Sequence, residues 1–82
     1  MTPTEIRETF LEELTRVAPD LDAGDIGPDD HLQEDLEIDS MDFLNLVSAL
    51  HKRLGVNIPE SDYPRIETLA KAVDYLGERL SG

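Results

Sequence analysis

Apolar residues recur at helical spacing in three stretches of the chain, and nowhere do they alternate with polar ones at a period of two over a useful length. Ile6, Phe10, Leu11, Leu14 and Val17 make the first stretch, with Glu8, Glu12, Glu13 and Arg16 on the other side. Thr2-Pro3-Thr4-Glu5 ahead of it places Thr at the N-cap, Glu at N3 and Pro where its missing N–H does no harm. This capping box predicts a helix start, and Pro19 predicts its end. Phe43, Leu46, Val47, Leu50 and Leu54 make the second stretch. Asp39 is its expected N-cap and Gly55 its left-handed stop, while Lys52 and Arg53 fall in the last turn, where cations suit the helix dipole. Thr68 caps a third helix carrying Leu69, Ala72, Val73, Leu76 and Leu80. Between the second and third, Pro59-Glu60-Ser61-Asp62-Tyr63 has room for at most one helical turn before Pro64.

The expected architecture is therefore all-α: a four-helix bundle of three main helices and one short one, with a long loop between the first two. The 82 residues suit a single domain over 1–82, with a core at the small end of what folds without disulfides or metals. The loop from Ala18 to Ile38 is rich in Asp, Gly and Pro, yet Leu21, Ile26, Leu32, Leu36 and Ile38 punctuate it. Loops of this length are functional or disordered more often than not, and the spaced apolar residues predict one pinned across the core.

Charge narrows the function. The net charge of -12 and pI near 4.2 disfavour nucleic acid and anionic lipid, so basic protein partners are expected. Ten of the nineteen acidic residues lie between Asp20 and Asp42, where there is no lysine or arginine. Such a run is ordinarily a solvated loop, and only its position beside Ser40 favours a functional reading. Cysteine is absent, which removes disulfides, thiolate metal sites and a thiol nucleophile. With no apolar run long enough to span a membrane and no basic-then-apolar leader at Met1-Thr2-Pro3-Thr4-Glu5, a soluble, cytoplasmic monomer without membrane insertion is expected.

Enzymatic readings find little support. His31 and His51 have no partners at metal-ligand spacing and are expected at the surface. A calcium loop read from Asp20 puts Asp25 where the turn glycine belongs and His31 where a bidentate glutamate belongs. Neither a phosphate-binding glycine loop nor a context for a Ser-His-Asp triad is present, so no catalytic residue is assigned. On the second helix, Met41 and Leu44 project roughly 160° and 100° from the centre of the apolar face, which leaves a candidate docking patch.

The run Glu34-Asp35-Leu36-Glu37-Ile38-Asp39-Ser40-Met41-Asp42 holds a lone hydroxyl at a helix start in an acidic setting. A phosphoester on Ser40 would lie in the field of the helix's first N–H groups, so the serine reads as a group that is modified; an ordinary helix-start serine is the plain alternative. At these residues the chain resembles the acyl carrier protein family. The match consists of Glu34-Asp35-Leu36 and Asp39-Ser40-Met41-Asp42, and continues through Val56-Asn57-Ile58-Pro59, Thr68-Leu69 and Ala72-Val73-Asp74-Tyr75-Leu76. The resemblance implies that a phosphopantetheinyl transferase attaches 4'-phosphopantetheine from coenzyme A to Ser40, and that acyl groups travel on it as thioesters between acyl-loading and acyl-transferring enzymes with basic docking patches. Asp39, Met41, Asp42, Leu44, Asn45 and Lys52 would form the recognition surface.

The chain departs from the family pattern in three places. Glu37 stands where glycine is frequent, Asn45 where members serving fatty acid synthesis often have glutamate, and His51-Lys52-Arg53 replaces an acidic cluster. These departures favour a dedicated fatty acid, lipid or polyketide pathway, with an aminoacyl or peptidyl carrier as the alternative. An acidic helical interaction module with unmodified Ser40 is the reading from a different functional class.

Overall fold

The computed structural model describes residues 2–81. Three α-helices, α1 (Pro3–Val17), α2 (Ser40–Leu54) and α3 (Leu69–Ser81), form an all-α bundle, with a 3-10 turn at Ala23–Asp25 in the first connection and a 3-10 helix at Glu60–Ile66 in the second. Among the described residues the only extended pairing is an isolated antiparallel bridge between His31 and Thr68.

The helix ends are set by the expected residues. Glu5 N donates to Thr2 Oγ1 at 3.2 Å and Thr2 N to Glu5 Oε1 at 3.0 Å, closing the capping box of α1. At the start of α2, Asp42 N donates to Asp39 Oδ1 at 2.8 Å. Gly55 ends that helix at φ +70, with its N–H on His51 O at 2.9 Å. Lys71 N donates to Thr68 Oγ1, which caps α3.

α1 packs against both α2 and α3, and its Ile6, Phe10 and Leu14 meet Leu46 and Leu50 of α2 and Leu69, Ala72 and Leu76 of α3 in one core. The long loop contributes Ile26, Leu32 and Ile38 to that core, with Leu21 and Leu36 packed at its edge. Burying these side chains offsets the entropy of ordering the loop, each contributing roughly 1.5–3 kcal/mol. The loop is pinned, as the apolar spacing predicted.

Four details differ from the sequence reading. The short helix is a seven-residue 3-10 helix that continues through Pro64. Proline's fixed φ of about -65° lies within the 3-10 range, and the missing N–H removes only one bond. Glu13 is buried (3% exposed), because it projects roughly 70° from the centre of the α1 apolar stripe and so lies at its edge. His31 is half-buried at the Thr68 bridge and tied into the loop by its ring. Tyr75, off the α3 apolar stripe, is almost fully buried because the 3-10 helix covers it.

Candidate functional site

Ser40 is exposed in the first position of α2. Two of the four leading N–H groups of this helix are satisfied by Asp39: Asp42 N bonds its Oδ1, and Phe43 N bonds its carbonyl at 3.0 Å. The N–H groups of Ser40 and Met41 have no protein acceptor among the described hydrogen bonds, and they leave a partial positive end beside the Ser40 hydroxyl. A phosphoester on this oxygen fits that end, and the side chain has open solvent around it.

Loop geometry brings the serine to this position. Asp22 Oδ1 accepts from Gly24 N at 2.9 Å, Asp30 Oδ2 from Gly27 N at 2.8 Å, and Asp35 Oδ2 from His31 N at 2.7 Å. Three of the loop's acids, and Asp39 at the cap that follows, therefore hold backbone N–H groups, the local turn-forming role for which Asp is suited. The loop's acidity is thus partly structural. Glu37, three residues before Ser40, has φ +58, a left-handed conformation that a residue with a Cβ adopts at a cost.

A cleft of about 320 Å³ opens beside Ser40, walled by Phe43 and Leu44 of α2, Tyr63 of the 3-10 helix, and Gln33 and Glu67. Phe43 and Tyr63 meet edge to face at 5.3 Å between ring centroids and close its apolar side. A clasp on α3 holds the 3-10 helix in place. Tyr75 OH donates to Asp62 Oδ2 at 2.7 Å, and Arg79 donates to the same carboxylate at 2.8 Å and to the tyrosine oxygen at 3.1 Å. The guanidinium groups of Arg65 and Arg79 stand 4.8 and 5.1 Å from the Tyr75 ring centre. The tyrosine hydroxyl, then Arg79, lowers the Asp62 pKa; burial, then the neighbouring carboxylate, raises that of Tyr75.

The recognition residues suggested by the sequence divide along α2. Asp39, Met41, Asp42 and Leu44 lie in its first turns beside Ser40, with Met41 70% and Leu44 49% exposed. Asn45 and Lys52 are also exposed and follow Met41 along one outward stripe at helical spacing. Lys52 lies roughly 18 Å along the axis from Ser40 at 1.5 Å per residue, and has no ion pair among the described residues. Arg53 is engaged internally, 2.7 Å from Glu12 and 3.1 Å from Glu13, and these carboxylates raise its pKa further. No group of three or more His, Asp or Glu among the described residues is arranged to hold a metal ion.

Sequence reasoning missed His31, Tyr63, Glu67 and the turn-forming acids. The Asp-x-Gly spacing at Asp22 was a legible sign of a turn. The contacts of His31 with Glu67 and of Phe43 with Tyr63 span the fold and had no local signature.

An exposed helix-start hydroxyl on an acidic helical bundle without thiols is compatible with a carrier to which the reactive group is added. Residues 4–76 match the family model described as a phosphopantetheine attachment site. The chain is 33% identical to an acyl carrier protein of Rubrobacter xylanophilus over 88% of this chain and 93% of that one. It is 34% identical to one of Streptomyces coelicolor, covering 83% and 74% of the two chains, and 29% identical to one of Acidothermus cellulolyticus, covering 83% and 81%. The chain belongs to the acyl carrier protein family. It is accordingly a non-enzymatic carrier whose cofactor is covalently attached 4'-phosphopantetheine, and it interacts with a phosphopantetheinyl transferase and acyl-handling enzymes. No helix among the described residues is long and apolar enough to cross a membrane.

Proposed function

We propose that Ser40 is the attachment point of the phosphopantetheine arm, and that the chain acts as a monomeric, one-domain cytoplasmic carrier in a dedicated acyl pathway. The observation that carries the assignment is the exposed Ser40 hydroxyl at the Asp39-capped start of α2, within the matched region and in a stretch without lysine or arginine. The arm supplies the thiol on which an acyl group is held as a thioester, chemistry this cysteine-free chain lacks. Ser40 presents the oxygen that is esterified, and Asp39 holds the helix end that presents it.

The same geometry supports a partner surface around the serine. Asp39 and Asp42 meet basic groups of the transferase and acyl-handling enzymes, while Met41 and Leu44 supply exposed apolar area next to the serine. Asn45 and Lys52 select among those enzymes. A neutral amide and a cation on this stripe favour a partner other than one built for an acidic helix, which supports a dedicated fatty acid, lipid or polyketide pathway.

Incubation with coenzyme A, magnesium and a broad-specificity phosphopantetheinyl transferase tests the assignment by intact mass. One phosphopantetheine is expected on the wild-type chain and none on a folded Ser40→Ala variant. Modification of that variant at another serine sinks the assignment. No modification of either protein favours the unmodified interaction module.

A further inference from the structure

The long loop contains one ring that neither the carrier chemistry nor the apolar core uses. His31 lies where the loop crosses Thr68, and beside it Leu32 N donates to Glu67 O at 2.9 Å. Its Nδ1 accepts from the backbone N–H groups of Gln33 at 3.2 Å and Glu34 at 3.1 Å. Its Nε2 stands 3.2 Å from Glu67 Oε2. Two donors aimed at Nδ1 assign the proton to Nε2, which donates it to Glu67 in the neutral ring. The other Glu67 oxygen accepts from Lys71 Nζ at 3.0 Å. Both residues braced in this way, Gln33 and Glu67, line the cleft beside Ser40. The same turn leads through Glu37, in its left-handed conformation, to Asp39 and Ser40.

We propose that His31 is a positioning residue for Ser40: its neutral ring joins the turn ahead of the serine to the start of α3, and protonation releases its hold on the turn. The proposal rests on Ser40 being the attachment site. A protonated ring carries N–H on both nitrogens, so Nδ1 would face the Gln33 and Glu34 N–H groups donor to donor. Glu34 and Asp35 on the same turn and Glu67 across from it attract the cation, whereas Lys71 on α3 opposes it. The charged ring therefore leaves the turn for the carboxylates. The two backbone N–H groups lose their acceptor, and the Gln33 wall of the cleft loosens while Glu67 keeps the ring.

The test compares the full wild-type chain with His31→Gln, whose amide oxygen accepts hydrogen bonds without titrating. Nitrogen NMR at about pH 8 is expected to show a bare Nδ1 and a protonated Nε2 on His31. The amides of Gln33, Glu34 and Ser40 should then shift along the His31 titration in wild type and stay still in the variant. His51 is present in both proteins and cancels. In one tube with limiting transferase and coenzyme A, the loading ratio of variant to wild type should rise about fivefold between about pH 8 and pH 5.5, the weight of one net hydrogen bond. A proton on Nδ1 at the higher pH, a Ser40 amide indifferent to the His31 titration, or a constant loading ratio each overturns the proposal. If neither protein takes up phosphopantetheine, the attachment assignment fails, and the amide shifts still decide whether His31 is coupled to Ser40.

Discussion

Replacing Glu37 by glycine should stabilise the fold, although glycine usually weakens one. The left-handed conformation at Glu37, φ +58, places its Cβ against the following carbonyl. That contact costs an L-residue about 1–2 kcal/mol. Glycine removes it but gives the unfolded chain more freedom, which opposes the gain by about 0.4–1 kcal/mol. The net expectation for Glu37→Gly is a stabilisation of about 0.5–1 kcal/mol, or roughly 2–8 °C in Tm for a chain of this size.

Charge is the competing explanation, since the substitution also removes one carboxylate from a crowded acidic stretch. Glu37→Gln and Glu37→Ala remove the charge and keep the Cβ, so they isolate that effect. Both should stay within about 0.5 kcal/mol of wild type at moderate salt. Urea unfolding followed by circular dichroism measures all three variants, with an unchanged slope required for the comparison. If Glu37→Gly is no more stable than Glu37→Gln, the left-handed residue stores no strain and the reasoning fails. A gain confined to glycine would explain why the family often has that residue here.

The fold should also melt at lower temperature in about 10 mM salt than in 150 mM, because the Debye length falls from about 30 Å to 8 Å; a flat melting curve would show that the acids capping the loop outweigh their repulsion. Tyr75→Phe leaves Asp62 and Arg79 without the hydroxyl between them and should cost about 1–2 kcal/mol by urea unfolding. The Asp62 pKa is depressed in the fold by Tyr75 and then Arg79, so its contribution is present above the unfolded pKa and lost as pH falls through the folded one; Asp62→Asn should therefore flatten the acid limb of stability below about pH 4. Asn45→Glu with Lys52→Glu should leave Ser40 loading nearly unchanged yet speed turnover by a generic ketoacyl synthase roughly tenfold at low salt, the lower end of electrostatic steering. No gain for this double variant would remove Asn45 and Lys52 from partner selection.

Much of the bundle was legible in the sequence because its signals are local. Thr2 with Glu5, Asp39, Gly55 and Thr68 each act within about one helical turn, and each does what its residue type predicts. The exposure of Met41 and Leu44 followed from their angle to the α2 stripe in the same way. What escaped depends on partners distant in sequence. Burial of Tyr75 requires the 3-10 helix to cover a second face of α3, and the carboxylate of Glu13, at the edge of the α1 stripe, is met by Arg53 from forty residues away as well as by Arg16. The exposed helix-start position of Ser40 was legible through its neighbours, whereas the cleft beside it depends on Tyr63 and Glu67 arriving from beyond α2.

The basic end of α2 shows how internal pairing changes a surface. In the sequence, His51, Lys52 and Arg53 stand together in the last turn of α2 in place of an acidic cluster. In the fold, the His51 ring donates from Nδ1 to the Val56 carbonyl at 3.1 Å, and Arg53 neutralises the buried Glu13 together with Glu12. Reversing Arg53 would set a carboxylate against the buried Glu13 and the neighbouring Glu12, with Arg16 as the cation still paired with Glu13. A binding defect in an Arg53→Glu variant would therefore report unfolding as readily as docking. Lys52 lacks such a constraint: it is exposed and shares its stripe with Asn45 and Met41. A partner reading α2 outward from Ser40 thus meets acids and apolar side chains first, then an amide, and finally a single available cation. On the proposed reading, selectivity along this helix would rest on that order of groups more than on the net charge of its last turn.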